Sequence, residues 1–357
     1  MDNLQNFFNH LYQKEGDRFQ MNEQAVVNEL QNNEADKTTL SVKIVSVLGG
    51  LLATLAFLGF LALTGLFNNA ASYLILGFGF ITGAIWINKV SDKLIIDTFS
   101  VALYLSGFIL LLFGLNQLQF EQFGVCIILT IIAITALYFT QNFILSFISV
   151  LVITISLPSL LFTHNLTGFI NVYIVLLALL MTHWFFKEAD IVCWEKIISR
   201  LYNSMRIGLI VSLLTALNFA GKGNFFYFNA TDGFVLVSSI PIILIILEVV
   251  SKILDILEIE KKNDRILVFV LTSLILLPTA FQPAIAGSLL VILLSFLVNY
   301  KTGFALGIIS FIYFLSRYYY DLNFTLLVKS EILIVTGVLF LVLYYFMNKK
   351  FSTDEKL

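Results

Sequence analysis

Apolar residues in this chain come in long blocks, not in the alternating or every-third-residue rhythm of a half-buried surface element. Twelve blocks can be read, at 44–66, 70–87, 94–115, 123–139, 143–162, 168–186, 207–220, 233–254, 266–277, 284–298, 302–319 and 331–347. Most have the roughly 17 to 25 residues with which a helix crosses the hydrocarbon of a bilayer, where an unpaired backbone group costs several kcal/mol. The seventh and ninth are short, so a re-entrant segment or a count of ten or eleven fits the pattern as well. The predicted fold class is all-α: a polytopic transmembrane helical bundle of about 12 spans.

Polar stretches divide the chain around these blocks. Residues 1–43 form a polar tail, 44–348 the transmembrane domain, and 349–357 a short C-terminal tail; the longest internal loop, 187–206, separates two halves of about six spans each. Composition agrees: 59% of residues are hydrophobic and 12% charged, against about a quarter charged in a soluble domain.

Basic residues orient the bundle, because loops on the cytoplasmic side retain Lys and Arg. Eighteen of the 21 fall on alternate connections: Lys14, Arg18, Lys37, Lys43, Lys89, Lys93, Lys187, Lys196, Arg200, Arg206, Lys252, Lys261, Lys262, Arg265, Lys301, Lys349, Lys350 and Lys356. Only Lys222, Arg317 and Lys329 fall on the other set. This alternation predicts that both termini are cytoplasmic. In the N-terminal tail, Leu4, Phe7, Phe8, Leu11 and Tyr12 line one face of a helix. The tail holds seven acids against four bases, so that face is expected to dock on protein and not on anionic lipid.

Chemistry inside a membrane announces itself as ionisable residues in mid-span. Few are present. Glu248 and Lys252 are spaced one turn apart near the inner end of the eighth block and form a possible intramembrane polar pair; Lys93 and Asp97 repeat the spacing at the third. His10, His164 and His183 are scattered over both sides, as are Cys126 and Cys193, so no catalytic, metal or disulfide constellation is expected. No phosphate-cradling loop or nucleic-acid motif occurs, no cofactor is expected, and an enzyme is the least supported class. Pro158, Pro241, Pro278 and Pro283 all map to the outer half, where kinks would open a vestibule near the fifth, eighth, ninth and tenth blocks; at Pro278 and Pro283 simple helix termination explains them equally well.

One polar and aromatic cluster stands out in the outer connection before the last block. Arg317, Tyr319, Tyr320, Asp321, Thr325, Lys329 and Ser330 lie within it, including two of the three outer basic residues. Tyrosines suit the interface, where the ring meets lipid and the hydroxyl meets water. Paired charges there can anchor helix ends, bind an anionic ligand or receive a partner.

The run Tyr319-Tyr320-x-Leu322-x-x-Thr325-Leu326-Leu327-x-Lys329-Ser330, followed by an apolar stretch with Gly337, resembles the C-terminal signature of an uncharacterised bacterial multi-pass membrane family, a domain of unknown function. The Gly49-Gly50 opening of the first block after a short acidic tail is similar to it as well. The resemblance implies the bacterial inner membrane and a small membrane-anchored partner protein encoded nearby, and it implies no catalytic residues. The expected function is the membrane subunit of a bacterial envelope assembly whose outer contact site is the Arg317–Ser330 cluster. The alternative is a permease for a small solute or lipid that uses the outer cavity.

Overall fold

Side chains that are apolar all round give helices whose neighbours are chosen by close backbone approach and buried hydroxyls, and the computed structural model is built this way throughout. It describes residues 40–63, 69–90, 94–140, 142–164, 166–194, 196–220, 235–257 and 262–321, with separate positions between 327 and 341. The described residues contain helices and no strand. In chain order they are α1 (Leu40–Leu63), α2 (Ala70–Val90), α3 (Leu94–Gln117), α4 (Gln122–Phe139), α5 (Phe143–Thr163), α6 (Ile170–Phe186), α7 (Glu188–Trp194), α8 (Lys196–Ala220), α9 (Val235–Ile256), α10 (Lys262–Leu276), α11 (Pro283–Leu297) and α12 (Lys301–Asp321).

Among the described residues, seven stretches are long and apolar enough to cross a membrane: Ala70–Val90, Ile96–Gln117, Gln122–Phe139, Phe143–Thr163, Leu201–Ala220, Leu236–Ile256 and Lys262–Phe281. Shorter apolar helices add Leu48–Phe60, Ile170–Phe186 and Pro283–Leu297. Large apolar side chains such as Leu63, Trp86 and Ile75 stand outward, which water would not tolerate and lipid does. The chain is a multi-pass membrane protein. The expected tail helix and the C-terminal tail lie outside the described residues, as does most of the block at 331–347.

Two sequence expectations change here. The seventh block is not short, because α8 is a continuous 25-residue helix that begins at Lys196, well inside the expected inner loop. The remainder of that loop is the helix α7. The ninth block is lengthened at both ends: α10 starts at Lys262, and a 3-10 turn carries it on to Phe281. Pro278 sits in that turn and Pro283 opens α11, the positions where a missing N–H is harmless.

Two cores form. One gathers α2, α3, α4 and α5 around Tyr104, Leu111 and Leu145. The other gathers α6, α8, α9 and α11 around Met181, Leu213, Ile246 and Leu290. Glycines set the closest approaches. On α2 and α3, a Cβ at Gly107 would lie 2.9 Å from the Gly77 carbonyl oxygen, so the two backbones touch directly. Gly50 and Gly208 instead make room for the side chains of Val101 and Val150, seating α1 against α3 and α5 against α8.

Buried hydroxyls and amides fix register. Asn142 donates to Asp97 Oδ1 (3.0 Å), and the Tyr104 hydroxyl meets Ser149 Oγ (2.6 Å); both pairs are 45 residues apart, so α3 and α5 run parallel. The α5–α8 seam is parallel too, with Ser204 donating to the Phe143 carbonyl (3.1 Å) and Thr154 paired with Ser212 (2.6 Å). α6 runs antiparallel along α8, its end joined where Tyr202 donates to the Trp184 carbonyl (3.3 Å), and its start is joined to α9 where Ser238 donates to Asn171 Oδ1 (2.9 Å).

Candidate functional site

The clustered residues at the end of α12 are organised by a partner that hydropathy does not reveal. Arg317, near the end of α12, donates from Nη1 to both the side-chain oxygen of Asn218 (2.6 Å) and its carbonyl (3.2 Å) at the end of α8. Tyr313, one turn earlier, donates to the same Asn218 oxygen (3.2 Å). Three bonds therefore converge on one residue and tie the ends of two parallel helices. Asparagine serves because its short side chain keeps both carbonyl groups beside the fork of the guanidinium.

Beyond this clamp, Tyr319 and Tyr320 meet edge to face at 5.7 Å, and Tyr320 is 79% exposed. Ser330 donates to its own helix at Leu327 (2.7 Å) and is exposed. Thr325 and Lys329 lie outside the described residues, as does the side chain of Asp321. The arrangement joins Arg317 to α8 and leaves an aromatic edge facing outward.

At the opposite end of α8 lies a site the sequence assigned to a loop. Arg206 is only 7% exposed. Its guanidinium sits 3.6 Å from the centre of the Tyr300 ring and 5.1 Å from that of Tyr202, pairs with Glu188 on α7 (3.2 Å), and donates to Asn203 (2.9 Å). Tyr300 reaches it because α11 ends in a full left-handed cap: Asn299 takes φ 53°, its N–H bonds to Phe296, and the Tyr300 N–H bonds back to Ser295 (2.7 Å). Burial pushes the Tyr300 phenol up from its ordinary value, with Arg206 pulling the other way.

Replacing Tyr300 with leucine is expected to cost about 2 kcal/mol in thermal unfolding, the worth of a desolvated cation–π contact, while Tyr300→Phe keeps most of it. The raised phenol makes its own contribution complete below the unfolded value near pH ~10 and lost as pH climbs through the folded one. Tyr300→Phe should flatten that alkaline limb. An unchanged limb would show that the hydroxyl is not buried as described.

The Glu248 and Lys252 spacing does not produce a mutual pair. Lys252 sets its ammonium 3.2 Å from the Phe186 ring centre, and Glu248 is exposed, because the ring of α6 offers a nearer partner than the carboxylate one turn back. Asp97 likewise takes amide donors, from Asn88 (2.8 Å) and Asn142 (3.0 Å). Lys93 lies outside the described residues.

A cavity of about 340 Å³ opens between α5, α6 and α8. It borders Pro158 alone of the four prolines, on the fifth, sixth and seventh blocks and not on the eighth to tenth. The reason is local: Pro158 lacks an N–H for the Thr154 carbonyl, and the Tyr173 hydroxyl of α6 donates to that oxygen instead. Ser212 on α8, bonded to Thr154 Oγ1, completes the inner wall.

With these features in hand, a family profile described as domain of unknown function (DUF4401) matches residues 39–350. The chain belongs to the DUF4401 family. No curated protein and no solved structure matches it. The DUF4401 match spans every described helix and is consistent with the resemblance to an uncharacterised family. Within this DUF4401 chain three polar centres stand out: the Asn218 clamp, the Arg206 cage and the Pro158 cavity.

Proposed function

We propose that the chain is a non-catalytic membrane subunit of a bacterial envelope assembly, seated in the inner membrane, whose outer-face contact site is the end of α12. The Arg317–Asn218 clamp carries this reading. A guanidinium that donates two bonds to Asn218, with Tyr313 donating a third to the same residue, stiffens the helix end, and a stiff end that leaves Tyr320 exposed is a low-entropy platform for a partner. The partner of that reading is a small membrane-anchored protein, as the family resemblance implies.

Co-expression of that protein with the tagged chain tests it. Tyr320→Ala and Lys329→Glu are expected to lower recovery of the partner at least about tenfold, as for an aromatic hot spot, with the thermal stability of the chain unchanged. Asn218→Leu is expected to lower both, since Arg317 would lose its acceptors. Equal recovery with all three variants would end the proposal.

The permease alternative draws its support from the cavity beside Pro158. Against it stands the α5–α8 seam: a turn inward of Thr154 and Ser212, a Cβ at Gly208 would lie 2.6 Å from Val150, leaving no room between the helices for a solute. Uptake by the purified chain in liposomes would favour the alternative.

A further inference from the structure

We infer that the cavity between α5, α6 and α8 binds an uncharged, membrane-soluble alcohol: a neutral lipid whose hydroxyl enters the cavity while its tail remains in the bilayer. This site is separate from the α12 contact surface and does not depend on it.

The opening has structural causes at each limit. Inward, Gly208 against Val150 closes the seam; outward, the Phe162 and Phe219 rings meet edge to face at 6.5 Å. Between them Pro158 withdraws a backbone donor from the wall. The resulting volume of about 340 Å³ falls within the roughly 300–1,000 Å³ of small-molecule sites.

The wall chemistry selects the ligand. Among the described residues, no Asp, Glu, Lys, Arg or His lines the cavity, so a charged headgroup would lose its hydration without a counter-charge. Most hydroxyl protons are already committed. Tyr173 donates to Thr154 O, Thr215 to Ser212 O (2.9 Å) and Thr163 to Ser159 O (2.9 Å). Thr154 and Ser212 spend theirs on each other and on carbonyls of their own helices. What remains is a set of oxygen lone pairs together with the proton of Ser159. An alcohol satisfies both, donating to a lone pair and accepting from Ser159. An ether or ester can only accept, so it leaves the larger part unused.

The route of access points to the bilayer. Ile155 borders the cavity, lies midway along a span and is 57% exposed, so the mouth meets hydrocarbon and not water. A ligand arriving there is one already dissolved in lipid.

The test uses the full chain in phosphatidylcholine nanodiscs with hexadecanol bearing a diazirine in its chain, and mass spectrometry of the labelled peptides. Labelling is expected to concentrate on the α5 and α8 segments around Ile155 and Thr215. Unlabelled hexadecanol should compete about fivefold better than its methyl ether, the effect of one net hydrogen bond. Ile155→Trp, an exposed position at the mouth, should cut labelling at least about fivefold with the melting temperature retained. Thr215→Phe, which fills the cavity, should do the same, and Ile155→Trp keeps the test sound if that variant fails to fold. Equal competition by ether and alcohol, labelling spread evenly over the outward apolar faces, or indifference to Ile155→Trp would each overturn the inference.

Discussion

Gly107→Leu is expected to cost at least about 3 kcal/mol and to abolish a monodisperse folded population after mild heating, the largest effect foreseen for any single substitution outside the polar centres. The reason is the identity of what the new atoms would strike. A Cβ at position 107 lies 2.6 Å from Ile81 Cγ1, 2.9 Å from the Gly77 carbonyl oxygen and 3.1 Å from the Ile81 nitrogen. A side chain can rotate away, but two of these are backbone, so α2 and α3 would have to separate along their whole contact. Gly79 and Gly83 on α2 are the controls, since a Cβ at either meets nothing within 4 Å. Leucine there should be tolerated. Equal stability of Gly107→Leu and Gly79→Leu, measured by size-exclusion profiles after a temperature series, would refute the backbone-contact account.

The second large effect is a coupling. Tyr173→Phe is expected to lower stability by about 2 kcal/mol, because the Thr154 carbonyl freed by Pro158 then stands unpaired in a low-dielectric interior. Pro158→Ala restores a main-chain donor to that carbonyl. In its presence the cost of Tyr173→Phe should shrink to a few tenths of a kcal/mol, giving a coupling energy of about 1.5 kcal/mol in a double-mutant cycle. Additive losses would show that the hydroxyl and the proline are unrelated.

Helices were legible in the sequence, and their partners were not, for a physical reason. Span length is dictated by bilayer thickness, so the blocks at 70–87 and 143–162 foretell α2 and α5 within a few residues. In lipid the outward and inward faces are equally apolar, and the periodicity that marks a buried face in water is lost. Gly77 and Gly107 look no different in sequence from Gly79 and Gly83; only the crossing separates them. Asn218 was overlooked because one amide at the end of an apolar run is unremarkable until Arg317 and Tyr313 are brought to it. The sequence pattern puts Arg206 in a loop because a cation ordinarily ends a span, and the rings of Tyr300 and Tyr202 lift that restriction. The family match over residues 39–350 is consistent with the resemblance to an uncharacterised family, a reading that hydropathy alone does not supply.

The caged guanidinium has a consequence for how the molecule is made. Glu188, Tyr202 and Asn203 precede Arg206 on the ribosome, but Tyr300 follows it long after, so α8 leaves the exit tunnel without the ring that lies nearest its guanidinium. Until the later strand of polypeptide arrives, lateral release into oil is disfavoured for that segment, and it must wait at the insertion machinery or the headgroup boundary. Topogenesis of the second half is thereby coupled backwards: truncation before Tyr300 should strand α8, and the nascent chain commits to the membrane as a block and not one helix at a time.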